Sequence, residues 1–132
     1  MNKPILCLDF DGVIHGYSKG WLDGSIYDDV TDGFFEWAER AAKYFRLVIY
    51  SSRCSEPGGE EKILFWLYDQ RKKWRARGGM TESSDPLSFE VSDKKPAAFL
   101  QIDDRCVCFD GLWEGLNPEE MLKFQPWNKK SI

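Results

Sequence analysis

Short apolar runs that end in polar side chains constrain the fold of this chain more than any other feature. There are three: "PILCLD" at 4–9 with Asp9 and Asp11, "RLVIY" at 46–50 with Ser51 and Ser52, and "AFLQI" at 98–102 with Asp103 and Asp104. Continuous apolar runs of this length are typical of strands covered on both faces, as in parallel sheets. If the strands are parallel, all three polar pairs lie at one edge of the sheet.

Helical patterns separate the apolar runs. From about Thr31 to Phe45, apolar residues recur at steps of three and four, which predicts an amphipathic helix. A second helix is predicted over 60–77, with acidic residues in its first turn and Gly78 at its end. Residues 80–86 are predicted to form a loop.

Weaker signals complete the chain. "LSFEV" at 87–91 predicts a short strand, "CVCF" at 106–109 is a candidate last strand, and Asn117-Pro118 is typical of a capped helix start. The order strand, helix, strand, helix, strand, strand favours an α/β fold. We therefore expect a single Rossmann-like three-layer domain over 1–132, with a mostly parallel central sheet.

Composition and charge argue against several classes of protein. The net charge of -4 argues against an electrostatic nucleic-acid binder, and the basic run at 71–77 is interpreted as a solvated helix face. No apolar stretch approaches the roughly 20 residues of a membrane span, and no secretory signal is evident. The four cysteines have neither a zinc spacing nor a disulfide framework, which favours a reduced, cytoplasmic protein.

The polar edge predicted for the sheet points to phosphate chemistry. Four carboxylates there would repel one another unless a cation lay among them, and Mg²⁺ prefers such oxygen ligands. A carboxylate beside Mg²⁺ stays ionised and can attack phosphorus, while a second one two residues further on can serve as acid and then base. Serine hydroxyls, backbone N–H groups near Gly12 and Ser52, and a lysine can bind the phosphate oxygens.

Four motifs resemble those of the haloacid dehalogenase-like superfamily, and they occur in that family's order. "LDFDGVI" is similar to its first motif, "LVIYSS" to its second, "KKP" to its lysine motif and "FLQIDDR" to its final acidic motif. The resemblance covers about residues 5–105. It implies the superfamily's α/β fold and, because Asp11 stands where dehalogenases carry another residue, phosphatase rather than dehalogenase chemistry.

The resemblance also implies roles for individual residues. Asp9 would be the nucleophile that becomes an aspartyl-phosphate, and Asp11 would protonate the leaving oxygen and then activate water. Ser51 would hydrogen-bond the transferring phosphoryl group. Lys95, which directly precedes Pro96, would neutralise the phosphate, with Lys94 as the alternative.

A magnesium ion belongs to the same set of expectations. The resemblance implies that Asp9, the backbone carbonyl of Asp11 and Asp103 would hold Mg²⁺, with Asp104 assisting. The substrate would be a phosphomonoester: a nucleotide, a sugar phosphate or a nucleic-acid end. The alternative is a catalytically weak phosphate- or nucleotide-binding module on the same fold.

The chain departs from the family pattern in two ways. Few residues separate Lys95 from Asp103, so the helix that usually carries the lysine must be very short or absent. The two points where cap modules enter offer only a flap of about residues 12–30 and a segment of 53–93, so no large cap domain is expected. Members without a cap act on macromolecules or borrow a neighbouring subunit as a lid, which makes a homo-oligomer one possible arrangement.

Residues around the predicted site leave alternatives open. His15, the only histidine, either faces the pocket or has no chemical duty. Arg53 either binds the substrate phosphate or pairs with Asp103 or Glu56. Trp21 and Tyr17, in the flap, either stack on a base or sugar or pack over the mouth of the site.

Overall fold

The central sheet has four strands, all parallel. In this computed structural model, the described residues are 2–79 and 87–129. The strands run in chain order as β1 (Ile5–Asp9), β2 (Arg46–Tyr50), β3 (Glu90–Ser92) and β4 (Leu100–Ile102). They lie side by side in the order β3-β2-β1-β4. The predicted α/β fold, a small Rossmann-like domain with a parallel central sheet, is confirmed.

Three α-helices accompany the sheet: α1 (Phe34–Ala41), α2 (Gly59–Ala76) and α3 (Pro118–Met121). Helix α1 begins later than Thr31 because Gly33 precedes it in the left-handed region, at φ 83°, which an α-helix does not continue through. Helix α3 begins as predicted, since the Asn117 side chain accepts a hydrogen bond from the backbone N–H of Glu119. None of the described helices is both long enough and apolar enough to cross a bilayer.

The main core lies between one face of the sheet and the two long helices. Leu6 and Leu8 of β1 are buried there with residues of α1 and α2. The helices also contact each other, because the rings of Phe35 and Trp74 stack at 5.5 Å. Both α1 and α2 therefore pack on the same face, as expected when β1, β2 and β3 follow one another in one direction through right-handed crossovers.

The opposite face is crossed by the connection between β3 and β4. Those strands form the two edges of the sheet, so residues 93–99 pass over the central strands. The described residues of this connection form no helix, as expected from the small number of residues between Lys95 and Asp103 in the sequence. Cys7 points to this face and is completely buried, and all four cysteines are free.

Two strand predictions need correction. Residues 106–109 form no strand, because Asp103 accepts a hydrogen bond from the backbone N–H of Arg105 and turns the chain away from β4. The strand predicted at 87–91 is shorter and later, Glu90–Ser92. Leu87 instead packs into the core, and its carbonyl accepts a hydrogen bond from Arg71. The loop predicted at 80–86 lies outside the described residues.

Candidate metal and phosphate site

The candidate site lies where the strand order reverses. From β1 the chain continues to β2 on one side, whereas β4 pairs with β1 on the other. The carboxyl ends of two such strands open a crevice that is the usual ligand site of open α/β sheets. Asp9 ends β1, and Asp103 and Asp104 directly follow β4. The parallel register therefore brings together carboxylates that are more than ninety residues apart in sequence.

These three carboxylates, the acidic cluster, are close enough to share an ion. One oxygen from each of Asp9, Asp103 and Asp104 lies within 4.8 Å of the others, and all three residues are partly buried. Burial, the charge of Asp103 and a hydrogen bond with Asp104 raise the pKa of Asp9 to about 7. Within residues 2–79 and 87–129, no lysine or arginine forms an ion pair with the cluster.

The donor set fits a hard divalent cation. Three carboxylates without a counter-ion carry excess negative charge, which the raised pKa of Asp9 expresses. Mg²⁺ typically binds one or two carboxylates and keeps several waters, while Ca²⁺ takes more oxygen ligands. The cluster supplies the oxygen ligands for either ion, and nothing in it distinguishes the two.

Asp104 approaches the loop that follows β1 so closely that position 12 has room only for glycine. Its φ of 87° is in the left-handed region, and its N–H donates to the His15 carbonyl at 2.8 Å to close a tight turn. A β-carbon at position 12 would lie only 2.8 Å from Cγ of Asp104. Any other residue would therefore displace a carboxylate of the acidic cluster.

The Asp11 side chain lies apart from the acidic cluster, in a clamp. The Arg53 guanidinium donates to both of its oxygens, from Nε to Oδ2 at 2.8 Å and from Nη2 to Oδ1 at 3.1 Å. The Nδ1 atom of His15 lies 2.9 Å from Oδ1. Burial opposes the charge of Asp11, but the hydrogen bonds from His15 and Arg53 outweigh it and hold the pKa of Asp11 below its usual value.

The hydrogen bonds of His15 indicate which ring nitrogen donates. The ring is fully buried, and Nε2 lies 3.1 Å from the backbone N–H of Asp28, which can only donate. Nε2 must therefore be the unprotonated acceptor, and Nδ1 carries the hydrogen that is donated to Asp11. His15 is thus a buried hydrogen-bond donor to Asp11, enclosed by the rings of Phe10, Tyr27 and Trp66. The ring is fully buried and contacts the predicted site residue Asp11, and whether His15 has a chemical role stays a prediction.

Arg53 has a partner that the sequence did not suggest. It is only 5% exposed and pairs with Asp11 rather than with Asp103 or Glu56. Its Nη1 also donates to the Gly24 carbonyl at 2.6 Å, which ties the β2 loop to the flap, residues 12–30. The Trp21 ring covers the guanidinium at 4.6 Å. A bidentate pair of this kind fixes geometry as well as charge.

The predicted phosphate-binding residues lie around the same edge. Ser51 is buried, and its hydroxyl oxygen accepts a hydrogen bond from the Arg53 backbone N–H, while Ser52 is exposed. Lys94 and Lys95 are both exposed on the crossing connection. Burial raises the pKa of the Cys7 thiol, and Lys95 lowers it while Asp9 and Asp103 add to the rise. Lys95 therefore acts electrostatically on the same part of β1 as the acidic cluster.

A segment near the carboxyl end of the chain also contacts this edge, which nothing in the sequence signals. The Trp127 indole donates to the Gly12 carbonyl at 2.6 Å, and Asn128 donates to the Gly16 carbonyl at 2.8 Å. Lys129 donates to the Ser18 carbonyl at 2.6 Å. Three consecutive side chains thus hold the first part of the flap in place.

Comparison with known proteins leaves the chemistry open. No protein-family model, curated protein or solved structure matches the chain. The likeness to the haloacid dehalogenase-like superfamily stays a resemblance of four motifs. The roles assigned to Asp9, Asp11, Gly12, Ser51, Ser52, Lys95, Asp103 and Asp104 stay predictions.

Proposed function

We propose that this protein is a Mg²⁺-dependent phosphomonoester hydrolase that works through an aspartyl-phosphate on Asp9. The observation that carries the proposal is the acidic cluster at the crevice between β1 and β4, with an unbalanced negative charge. Asp9, Asp103 and the backbone carbonyl of Asp11 would hold Mg²⁺, with Asp104 assisting. When bound, the ion would keep Asp9 ionised and neutralise charge on the transferring phosphoryl group.

The reaction would proceed in two displacements at phosphorus. A carboxylate oxygen of Asp9 attacks, the bond from phosphorus to the ester oxygen breaks, and the alcohol leaves. Water then attacks the aspartyl-phosphate, the bond from phosphorus to the Asp9 oxygen breaks, and inorganic phosphate leaves. Ser51 and Lys95 would bind the phosphoryl oxygens during both steps.

The clamp on Asp11 favours one half of its proposed role. Held ionised by Arg53 and His15, Asp11 carries no proton for the leaving oxygen and is in the ionised form that a base for the attacking water needs, although its lowered pKa makes it a weak base. The leaving alcohol would take its proton from solvent when Asp11 is ionised. We therefore expect substrates with good leaving groups to react faster in the first step than simple alkyl phosphates.

The decisive experiment measures phosphate release with Mg²⁺ from nucleotides, sugar phosphates, phosphopeptides and phosphorylated DNA ends. Asp9→Asn should abolish turnover of every accepted substrate, and Asp11→Asn should slow the second step enough to trap phosphoenzyme. Asp69→Asn, an exposed carboxylate on α2, is the matched control and should keep the wild-type rate. Wild-type turnover by the Asp9→Asn variant would overturn the assignment of the nucleophile.

A second candidate function is favoured by the same clamp. If Asp11 never leaves Arg53, the protein would bind phosphate or nucleotides with little turnover, as a binding module. If no phosphate is released from any phosphomonoester but nucleotides bind measurably, the binding module is favoured over the hydrolase. The predicted cytoplasmic location and a homo-oligomer that closes the site stay predictions, and light scattering tests the latter.

A further inference from the structure

A cavity opens beside Arg53, and Asp11 is not among the residues that line it. Its volume is about 300 Å³, and it lies between the flap and the loop after β2, so both of its walls follow carboxyl ends of neighbouring strands. Its lining includes Trp21, Ile26 and Pro57 as apolar walls. This placement is typical of ligand sites in α/β sheets, where apolar walls are combined with a few polar groups.

Arg53 connects the cavity with the predicted phosphate chemistry. A guanidinium has five N–H donors, and three of them bind Asp11 and the Gly24 carbonyl. Two donors are left for a ligand in the cavity that Arg53 lines. Because the side chain is buried and fixed by Asp11, these donors are held in place before any ligand arrives.

The cavity combines an aromatic wall with hydrogen-bond acceptors. Trp21 contacts the Arg53 guanidinium, yet 47% of the residue is exposed, so part of its ring is open to a ligand. The carboxylates of Asp23 and Glu56 also line the cavity and can accept hydrogen bonds from amino groups. A ligand that suits these groups is flat and has both donors and acceptors on its edge.

We propose that this cavity binds the nucleobase of a nucleotide substrate, with preference for bases that carry an exocyclic amino group. This inference rests on the proposed function for the phosphate half of the substrate. The base stacks on Trp21, its amino group donates to Asp23 or Glu56, and a ring nitrogen or carbonyl accepts from Arg53. Sugar phosphates lack the flat ring that would stack on Trp21. The lining pairs the carboxylates of Asp23 and Glu56 with the cations Arg53 and Lys62, so it has no excess positive charge for an anionic group.

The test separates base binding from phosphate chemistry by using adenosine, which has no phosphate to release. Isothermal titration should show adenosine binding to the wild-type protein, inosine binding more weakly, and ribose not binding. Trp21→Ala should weaken adenosine binding about tenfold or more, because stacking of a base on an aromatic side chain contributes about 1–3 kcal/mol. Trp113→Ala is the matched control, since Trp113 is exposed and contacts Phe109 rather than the cavity.

A second measurement does not depend on the variant folding. The wild-type kcat/KM for adenosine monophosphate should exceed that for ribose 5-phosphate at least tenfold, mainly through KM. Absence of adenosine binding, or equal kcat/KM for the two phosphates, would overturn the base site even if phosphate is released from both. Adenosine binding without release of phosphate from any ester would instead overturn the hydrolase and leave the base site standing.

Discussion

Replacing Asp9 with asparagine should stabilise the cation-free protein while removing its chemistry. The pKa of Asp9 rises from its usual 3.8 to about 7 through burial and the neighbouring carboxylates. A shift of that size corresponds to about 4 kcal/mol. Because the side chain is partly exposed and solvent screens the charges, we discount it to about 1–2 kcal/mol. Asp9→Asn should therefore raise the free energy of unfolding by about that amount at pH 8 in EDTA.

The pH dependence gives the sign of this effect independently. A raised pKa means that the folded state holds the proton more tightly than the unfolded state. The Asp9 contribution to stability is therefore full below about pH 4 and is lost as the pH rises through about 7. Urea unfolding of the wild-type protein in EDTA should show this loss, and the Asp9→Asn variant should not.

Magnesium should reverse the order of stability. A cation that binds only the folded state stabilises it, so wild-type protein should gain from millimolar Mg²⁺ and Asp9→Asn should gain much less. Asp69→Asn, exposed on α2, should change stability by less than about 0.5 kcal/mol under all of these conditions. The reasoning is refuted if Asp9→Asn is no more stable than the wild-type protein at pH 8 in EDTA.

Two further substitutions, each with a matched control, test the contact of Gly12 with Asp104 and the clamp on Asp11. Gly12→Ala and Gly33→Ala each place a β-carbon at positive φ, which costs about 1 kcal/mol, but only position 12 has a neighbour, the Asp104 carboxylate. Gly12→Ala should thus lose more stability in urea and weaken Mg²⁺ binding in calorimetry, and equal behaviour of the two variants would contradict the contact. Arg53→Gln should lower the free energy of unfolding by about 2 kcal/mol because it leaves the partly buried Asp11 carboxylate without its cation, whereas Arg46→Gln, in an exposed ion pair, should cost under about 1 kcal/mol. Similar losses in thermal unfolding would mean that the buried clamp contributes no more than a surface pair.

The strands were predictable where the hydrophobic pattern is strong. They were missed where strand pairing depends on residues far away in the sequence. β1 and β2 were predicted almost to the residue, because both are continuous apolar runs in the middle of the sheet. The residues at 106–109 have the same apolar character, but they pair with neither edge strand because the turn after Asp103 redirects the chain. Local pattern gives strand propensity, whereas a strand needs a partner, and the partner is set by topology.

The site was predictable to a different degree for each residue. Motif order and strand ends were enough to predict that Asp9, Asp103 and Asp104 meet, because parallel strands share one edge. The clamp on Asp11 was not predictable. It depends on the path of the flap, which buries His15 against Asp28 and brings Gly24 to Arg53. Loop paths are set by many weak contacts and leave little periodic signal in sequence.

The clamp matters for the charge that an incoming phosphate would meet. Arg53 neutralises Asp11, so of the four carboxylates at this edge only the acidic cluster remains unbalanced. A divalent cation would leave one negative charge, and Lys95, which already acts electrostatically on this part of β1, would offset that one. A phosphate group could then approach a site that is close to neutral, whereas the acidic edge alone would repel it. On the proposed function, Arg53 therefore serves this edge by neutralising Asp11, and binding of the phosphate is assigned to Ser51 and Lys95.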